Sequence, residues 1–256
     1  MIFHGYYSDV PDAELDRFVD SQELGRLITV GADGTPHVGL YPFVREGGAV
    51  DLHLVQADEQ IADLDARPRC VFEVDEALAV IPSYWVHPEY GGSATAYHRT
   101  VIFECVAAVT RDPRAVAAQQ VRLLARYQPE GGFRALSPDD PLYRGALEQL
   151  AAVRLEVTTR RAKFKLGQNR PAEARRRIIR ELRERGRALD GRAADALEWT
   201  LSPNGGGTAH VGAGPPGPPK PVARWANGID SRFLASYMVG PADRRRLAGG
   251  ESACQP

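Results

Sequence analysis

The chain has 256 residues, 43% hydrophobic and 25% charged, with a formal net charge of −1, a composition that suits a soluble globular protein with a sizeable core. A charge so near zero argues against a protein whose main business is holding polyphosphate, although it leaves room for a local basic patch. No apolar run approaches the roughly 20 residues of a membrane span, and the opening MIFHGYYSD lacks the basic-then-apolar profile of a signal peptide, so a cytoplasmic protein without a membrane partner is expected.

Pro11, followed by Leu15, Phe18 and Val19 at helical spacing, predicts a short amphipathic helix over 12–21. Two apolar, β-branched stretches then flank Ala32-Asp33-Gly34, and Glu46-Gly47-Gly48 separates the second from a third, which predicts a three-strand meander. Ile61 and Leu64 share one side of a short helix over 58–67 that ends at Pro68. RCVFEVD and ALAVIPS predict another pair of strands. A loop rich in Pro, Gly and aromatics (84–94) leads to a long apolar strand, TVIFECVAAVT, and then to a helix from Pro113 to Tyr127. The Pro/Gly cluster at 129–141 reads as a loop, with a lid as one use for it.

A final strand alternates Val153, Leu155 and Val157 before turning basic, and 171–196 reads as an Arg-rich helix with Ile178, Ile179 and Leu182 as its stripe. Many short strands with few helices predict a mainly β (α+β) fold, an antiparallel barrel with peripheral helices. Past Leu201 a Pro/Gly stretch cannot bury enough apolar surface to fold alone. The expected domains are therefore 1–200, the barrel with its C-terminal helices, and 201–256, a linker and flexible tail.

The familiar catalytic motifs are missing: there is no Gly-rich phosphate loop, no G-x-S-x-G and no H-E-x-x-H. Cys70, Cys105 and Cys254 are odd in number and lack metal-type spacing, which points to reduced, mostly buried thiols. His87 and Glu89 are close, but with a Pro between them they read as a surface pair. His53 ends an apolar strand, where a side chain either faces a pocket at a barrel mouth or is hydrogen-bonded at the core edge.

Arginine serves almost everywhere a cation is wanted, with 29 arginines against three lysines. Two of those lysines, Lys163 and Lys165, stand on one face of the predicted last strand with Phe164 opposite, and Gln168, Asn169 and Arg170 add donors just beyond. Such a cluster suits a phosphate or carboxylate; a solvated basic strand end is the alternative. An ammonium, unlike a guanidinium, shifts its pKa when buried, so at least one of the two lysines is expected to face a ligand groove. Lys220, alone in the Pro/Gly stretch, carries no such expectation.

KFKLGQNRPAEARRRIIREL resembles the C-terminal signature of the PaiB-type FMN-binding split-barrel family, in which K-F-K-L-S-Q-N-R precedes a helix. MIFHGYYSD with the following helix and hairpin, HLVQADEQIADL, VIPSYWVHPEY and ATAYHRTVIFECVA are similar to the family's other segments in the same order, and together they cover about residues 1–186. The resemblance implies a split β-barrel of the pyridoxamine 5'-phosphate oxidase-like superfamily, a homodimer with its cofactor at the subunit interface. The family's Arg-x-Asn-Pro is Gln56-Ala57-Asp58-Glu59 here, one cation fewer and two carboxylates more. Phe72 to Asp75 and the strand of Tyr97 and Arg99 look more like the nitroimidazole-reductase branch.

Three functions follow from that resemblance. The first is an FMN-dependent oxidoreductase of a small-molecule substrate, its phosphate held by some of Arg67, Arg69, Arg99 and Lys163, with Tyr97, His98, Lys165, Gln168, Asn169 and Arg170 also at the cofactor. The second is a haem b enzyme, similar to piperazate synthases or haem-degrading relatives, with His53 as axial ligand. The third is a negative transcriptional regulator. For the third, Glu173, Glu181 and Glu184 interleave with the basic helix and no helix-turn-helix pattern is evident, so that helix reads as ion-paired rather than DNA-binding.

Overall fold

The computed structural model describes residues 1–202; the expectations for the tail beyond, with Lys220 and Cys254, lie outside the described residues. Helix starts follow local chemistry. After a one-turn helix α1 (Gly5–Ser8), α2 (Asp12–Asp20) begins behind Pro11. β1 (Leu24–Val30), β2 (Pro36–Pro42), β3 (Val44–Glu46) and β4 (Ala49–Val55) follow. Then comes α3 (Glu59–Ala66), capped by Asp58, whose carboxylate accepts from the Gln60 N–H. β5 (Arg69–Ile81) and β6 (Thr95–Thr110) lead to α4 (Pro113–Tyr127) and α5 (Pro141–Leu147), which pair an aspartate cap, Asp112 or Asp140, with a proline in the first turn. β7 (Leu150–Lys165), α6 (Ala172–Arg185) and α7 (Asp190–Trp199) complete the described chain.

The seven strands form one sheet in the order β2-β1-β5-β6-β7-β4-β3, antiparallel throughout. β2 and β3 lie at opposite edges, yet Phe43 alone separates them in sequence. Consecutive Cα atoms are about 3.8 Å apart, so the two edges must meet and the sheet must curl. Phe43 is fully buried at this crossing. Its backbone groups are met by the Tyr127 hydroxyl, which accepts from Phe43 N at 3.1 Å and lies 2.7 Å from Phe43 O. Inside the curl, Phe18, Phe43, Phe72, Phe164, Leu27, Leu52 and Leu155 are essentially buried, with Phe18 and Phe164 edge-on at 5.2 Å. A curled antiparallel half-barrel is the architecture expected from the sequence.

Three local expectations change. The meander is not one, because β1 and β2 pair at one edge while β3 and β4 pair at the other. RCVFEVD and ALAVIPS are a single strand, β5, bent at a register shift between Ala77 and Ala79. Its acidic middle stays in the sheet because Glu76 is buried against Arg99 and Arg192. The helix expected over 171–196 is two helices: Gly186, at φ +62°, closes α6, and Asp190 opens α7 while accepting from Arg185 Nε at 2.7 Å and Arg187 N at 2.9 Å. The loop expected over 129–141 is irregular through Asp140, and α5, which is not among the helices predicted from the sequence, begins at Pro141.

Candidate functional site

Along the β6–β7 ladder His98 faces Lys165 and Thr100 faces Lys163. Strand alternation places these side chains on the outer face of the sheet, with Tyr97, Arg99 and Phe164 turned inward. Lys165 is half-buried and donates from Nζ to Thr95 Oγ1 at 2.6 Å. Burial first, then the charges of Lys163 and Arg170, hold its pKa below the ordinary lysine value. Burial and the two lysines likewise push the His98 pKa down, which favours the neutral ring at pH 7, and its Nδ1 lies 3.0 Å from Thr100 Oγ1. Lys163, Lys165 and Arg170 take part in no ion pair among the described residues, whereas Arg26, Arg45, Arg99, Arg122, Arg154 and Arg160 all do. The outer end of β6 and β7 therefore carries unneutralised positive charge.

The turn after β7 divides its own donors. Gln168 accepts from Leu166 N at 2.8 Å and donates to Phe164 O at 2.6 Å, so its amide holds the turn. Asn169 accepts from the Tyr7 hydroxyl at 3.0 Å, tying the N-terminal segment to this end of the barrel. Arg170 stands close enough to Tyr7 and Tyr97 to act on both electrostatically, yet burial dominates and pushes each phenol up to about 12. Both stay protonated at neutral pH, and the Tyr7 proton is committed to Asn169 Oδ1.

The remaining expected site residues are elsewhere. Arg99 points into the barrel, donating from Nε to Glu76 at 2.9 Å with its guanidinium 4.7 Å from the Phe18 ring centroid. Arg67 donates to Val30 O at 2.7 Å and to Gly31 O. Arg69 is exposed at the start of β5, opposite Val106. His53 pairs in register with Ala152, eleven positions before Lys163 on β7, a separation of about 36 Å along an extended strand. Its neighbour Ala152 packs with Val116 and Ala117 of α4 and Leu147 of α5, so His53 lies on the helix-covered part of the face. Burial lowers the His53 pKa, and Nδ1 is buried without a hydrogen-bond partner. Arg175 and Arg177 of the basic helix hold the Thr200 and Trp85 carbonyls at 2.8 Å each, which takes two members of its arginine run away from solvent anions.

One polar network, around Gln60 and Asp63, has no signal in the sequence. Asp63 accepts from Thr29 Oγ1 and pairs with His37 Nδ1, both at 2.7 Å; Gln60 donates to Leu27 O at 3.0 Å and accepts from Tyr41 OH at 2.7 Å. The contact to Asp63 raises the His37 pKa, with Glu59 and Asp33 adding to it against desolvation. Burial pushes the Asp63 carboxyl up, but hydrogen bonds from Thr29 and His37 outweigh it and hold the group below its ordinary value. A raised histidine pKa contributes stability that is full below about pH 6.5 and lost as pH rises through the folded-state value. The gap in Tm between the wild type and His37→Gln should therefore be wider at pH 5.5 than at pH 8.5; a gap independent of pH would separate His37 from that linkage.

A family model described as "Putative FMN-binding domain" matches residues 1–159, more than half of the chain. The chain belongs to this FMN-binding domain family. The match ends just before Lys163, so the KFKLGQNR run lies beyond it. No curated protein sequence matches. Among solved structures, the flavocytochrome Anf3 from Azotobacter vinelandii is similar with a TM-score of 0.51 and 19% identity over 62% of this chain and 69% of that one. The FAD and haem binding protein from Mycobacterium smegmatis gives 0.51 and 17% over 62% and 73%. A conserved hypothetical protein from Mycobacterium tuberculosis gives 0.48 and 22% over 65% and 93%. For this FMN-binding domain chain the likeness shows the fold, a split β-barrel of the pyridoxamine 5'-phosphate oxidase-like kind.

Proposed function

We propose that the protein is a homodimeric flavoprotein, with FMN as its cofactor and oxidoreductase action on a small molecule as its role. The observation that carries this reading is the unneutralised cluster of Lys163, Lys165 and Arg170 at the outer end of β6 and β7, in a chain of the FMN-binding domain family. The donor set fits a phosphate: two ammonium groups, a guanidinium and the Thr95 hydroxyl, with a neutral His98 beside them. The loop at 56–59 fits one poorly. Gln56 is spent on Glu148 O and Leu150 O, Asp58 caps α3, and Glu59 adds a second negative charge.

A flavin, when bound, supplies electron or hydride transfer. The chain's own groups would hold and orient it: Lys163, Lys165 and Arg170 on the phosphate, and the outer sheet face as an apolar wall. That face runs through Val38, Leu40, Ile28, Val71 and Ile102, with Val38 61% and Leu40 54% exposed. Exposed apolar rows of this kind mark interfaces, and a two-fold contact there would place the lysine end of each protomer beside its partner. Residues as far apart along the sheet as His53 of β4, opposite Ala152, and Lys163 of β7 would meet around one ligand across such an axis.

Purified full-length protein should show the two-banded flavin absorption, and Lys165→Ala should weaken FMN capture by about 1–3 kcal/mol, as for a charged hydrogen bond, read by quenching of flavin fluorescence. Unchanged affinity in both Lys163→Ala and Lys165→Ala would remove the cluster from the cofactor. The second reading, haem, is favoured by one observation: His53 is a neutral, half-buried imidazole with an unpartnered Nδ1. A single Soret band that His53→Ala abolishes would replace FMN by that reading.

A further inference from the structure

We propose that Lys165 condenses with a small anionic aldehyde to form an imine, with Lys163 and Arg170 holding the anion and His98 serving the proton transfers. The groups this chemistry needs stand together at the outer end of β6 and β7. Lys163 and Lys165 are two positions apart on β7 and share a face, a spacing of about 7 Å along an extended strand. His98 of β6 lies in register with Lys165, and Thr100 with Lys163, which sets facing Cβ atoms about 4.5–5.5 Å apart. Arg170 follows in the turn, close enough to act electrostatically on Lys165. Lys163, Lys165, His98 and Arg170 are all half-buried, so each keeps part of its surface open to a ligand.

A cation that only attracts an anion does not need to be lysine in this chain. Arginine takes that part at Arg26, Arg45, Arg99, Arg122, Arg154 and Arg160. What an amine can do and a guanidinium cannot is lose its proton and attack carbon. Lysines become nucleophiles when desolvated or set beside another cation. Lys165 meets both conditions: burial lowers its pKa, and the charges of Lys163 and Arg170 lower it further. Its Nζ donates to Thr95 Oγ1 at 2.6 Å and pairs with no carboxylate among the described residues. As a free amine it keeps that bond through one N–H and still presents its lone pair to a carbonyl carbon.

The step is a condensation. The Lys165 nitrogen bonds the carbonyl carbon, the carbonyl π electrons pass to oxygen, and that oxygen takes up the protons the nitrogen loses. Water leaves as C=N forms, and nothing is oxidised or reduced. His98 suits the proton transfers: burial and the two lysines favour its neutral ring, and Nδ1 is engaged by Thr100 Oγ1 at 3.0 Å. Its Nε2 makes no hydrogen bond among the described residues and is left to exchange the proton. The inference does not rest on the flavin reading, because a phosphate at the same cluster would exclude the aldehyde rather than assist it.

The test is reductive trapping with cyanoborohydride on the full-length protein, using 4-oxobutanoate as the anionic aldehyde and butanal as the uncharged one of the same length. Mass spectrometry with fragmentation separates Lys163 from Lys165, and Lys220, the only other side-chain amine of the chain, is the internal reference. With 4-oxobutanoate, Lys165 should be labelled at least about tenfold faster than Lys220. Lys163→Gln should remove about tenfold of that rate, the loss expected when an anion gives up one charge-assisted contact. Butanal should show neither the preference nor the effect of Lys163→Gln. Excess FMN should suppress the label; a selective Lys165 label that FMN leaves unchanged still supports the imine and removes the flavin phosphate from the cluster. Labelling of Lys165 no faster than that of Lys220 overturns the proposal. So does equal selectivity with the two aldehydes, or a label that favours Lys163 over Lys165.

Discussion

Leu40→Asp should turn the protein into a monomer and release its cofactor. Leu40 sits opposite Arg26 on β2, Arg26 pairs in register with Glu73 and Glu73 with Ile102, while Val38, Ile28 and Val71 form the adjacent row. Arg26 pairs with Asp75 and Arg161 with Glu104 beside these rows, which neutralises most of the charge on the face; Glu73, between Arg26 and Ile102, is in no ion pair among the described residues. Fully burying a Leu or Val side chain contributes about 1.5–3 kcal/mol. Leu40 is 54% exposed, and a two-fold interface uses each residue twice, so loss of Leu40 alone weakens association by roughly 1.5–3 kcal/mol before the desolvation of two carboxylates is counted. Light scattering behind size exclusion should show half the mass, and the flavin absorption should leave with the small solutes. The isolated fold should survive, because Leu40 is exposed and touches none of the barrel's inner layer. A dimer that persists in Leu40→Asp, or a wild type that is already monomeric, would move the interface off this face.

The sequence shows what depends on neighbours in the chain and hides what depends on distant ones. α2, α3 and α4 were legible from signals within a few residues: Pro11 ahead of the first, Ile61 and Leu64 on one side of the second before Pro68, and Pro113 at the start of the third. β5 was read as two strands because Asp75-Glu76 looks like a polar break. The groups that neutralise Glu76 come from β6 and α7, far along the chain. The meander failed for the same reason: Gly47-Gly48 does mark the β3–β4 turn, but only the curl of the whole sheet sends β3 to the opposite edge at Phe43.

At the candidate site the shared face of Lys163 and Lys165 follows from strand alternation and was readable. The use of Gln168 by its own turn and the inward position of Arg99 rest on hydrogen bonds that no periodicity encodes. The scarcity of lysine also acquires a physical sense. The arginines at six of the barrel's ion pairs hold carboxylates or carbonyls in fixed forks, whereas two of the three lysines stand where the structure leaves positive charge uncompensated.

Gly167→Ala should be among the most damaging single changes at this end of the molecule, and Tyr97→Phe should partly rescue it. Gly167 has φ +77°, a backbone region that costs an L-residue about 1–2 kcal/mol. An added Cβ would also lie 2.6 Å from the Tyr97 hydroxyl oxygen and 3.2 Å from Cζ. Overpacking of this sort costs about 1–3 kcal/mol more, since Tyr97 is buried and has little room to retreat. Removing the hydroxyl in Tyr97→Phe leaves only the 3.2 Å contact, so the double variant should recover most of the packing loss and none of the backbone loss. Urea denaturation of the four proteins in the cycle should give a coupling of at least about 1 kcal/mol. Strict additivity would show that the tyrosine moves aside freely. The same turn carries the Phe164–Gln168 hydrogen bond and the Asn169–Tyr7 contact directly after Lys165. FMN affinity of Gly167→Ala should therefore fall even where the chain is still folded, because the displaced turn no longer sets the positions of Lys165 and Arg170 relative to one another.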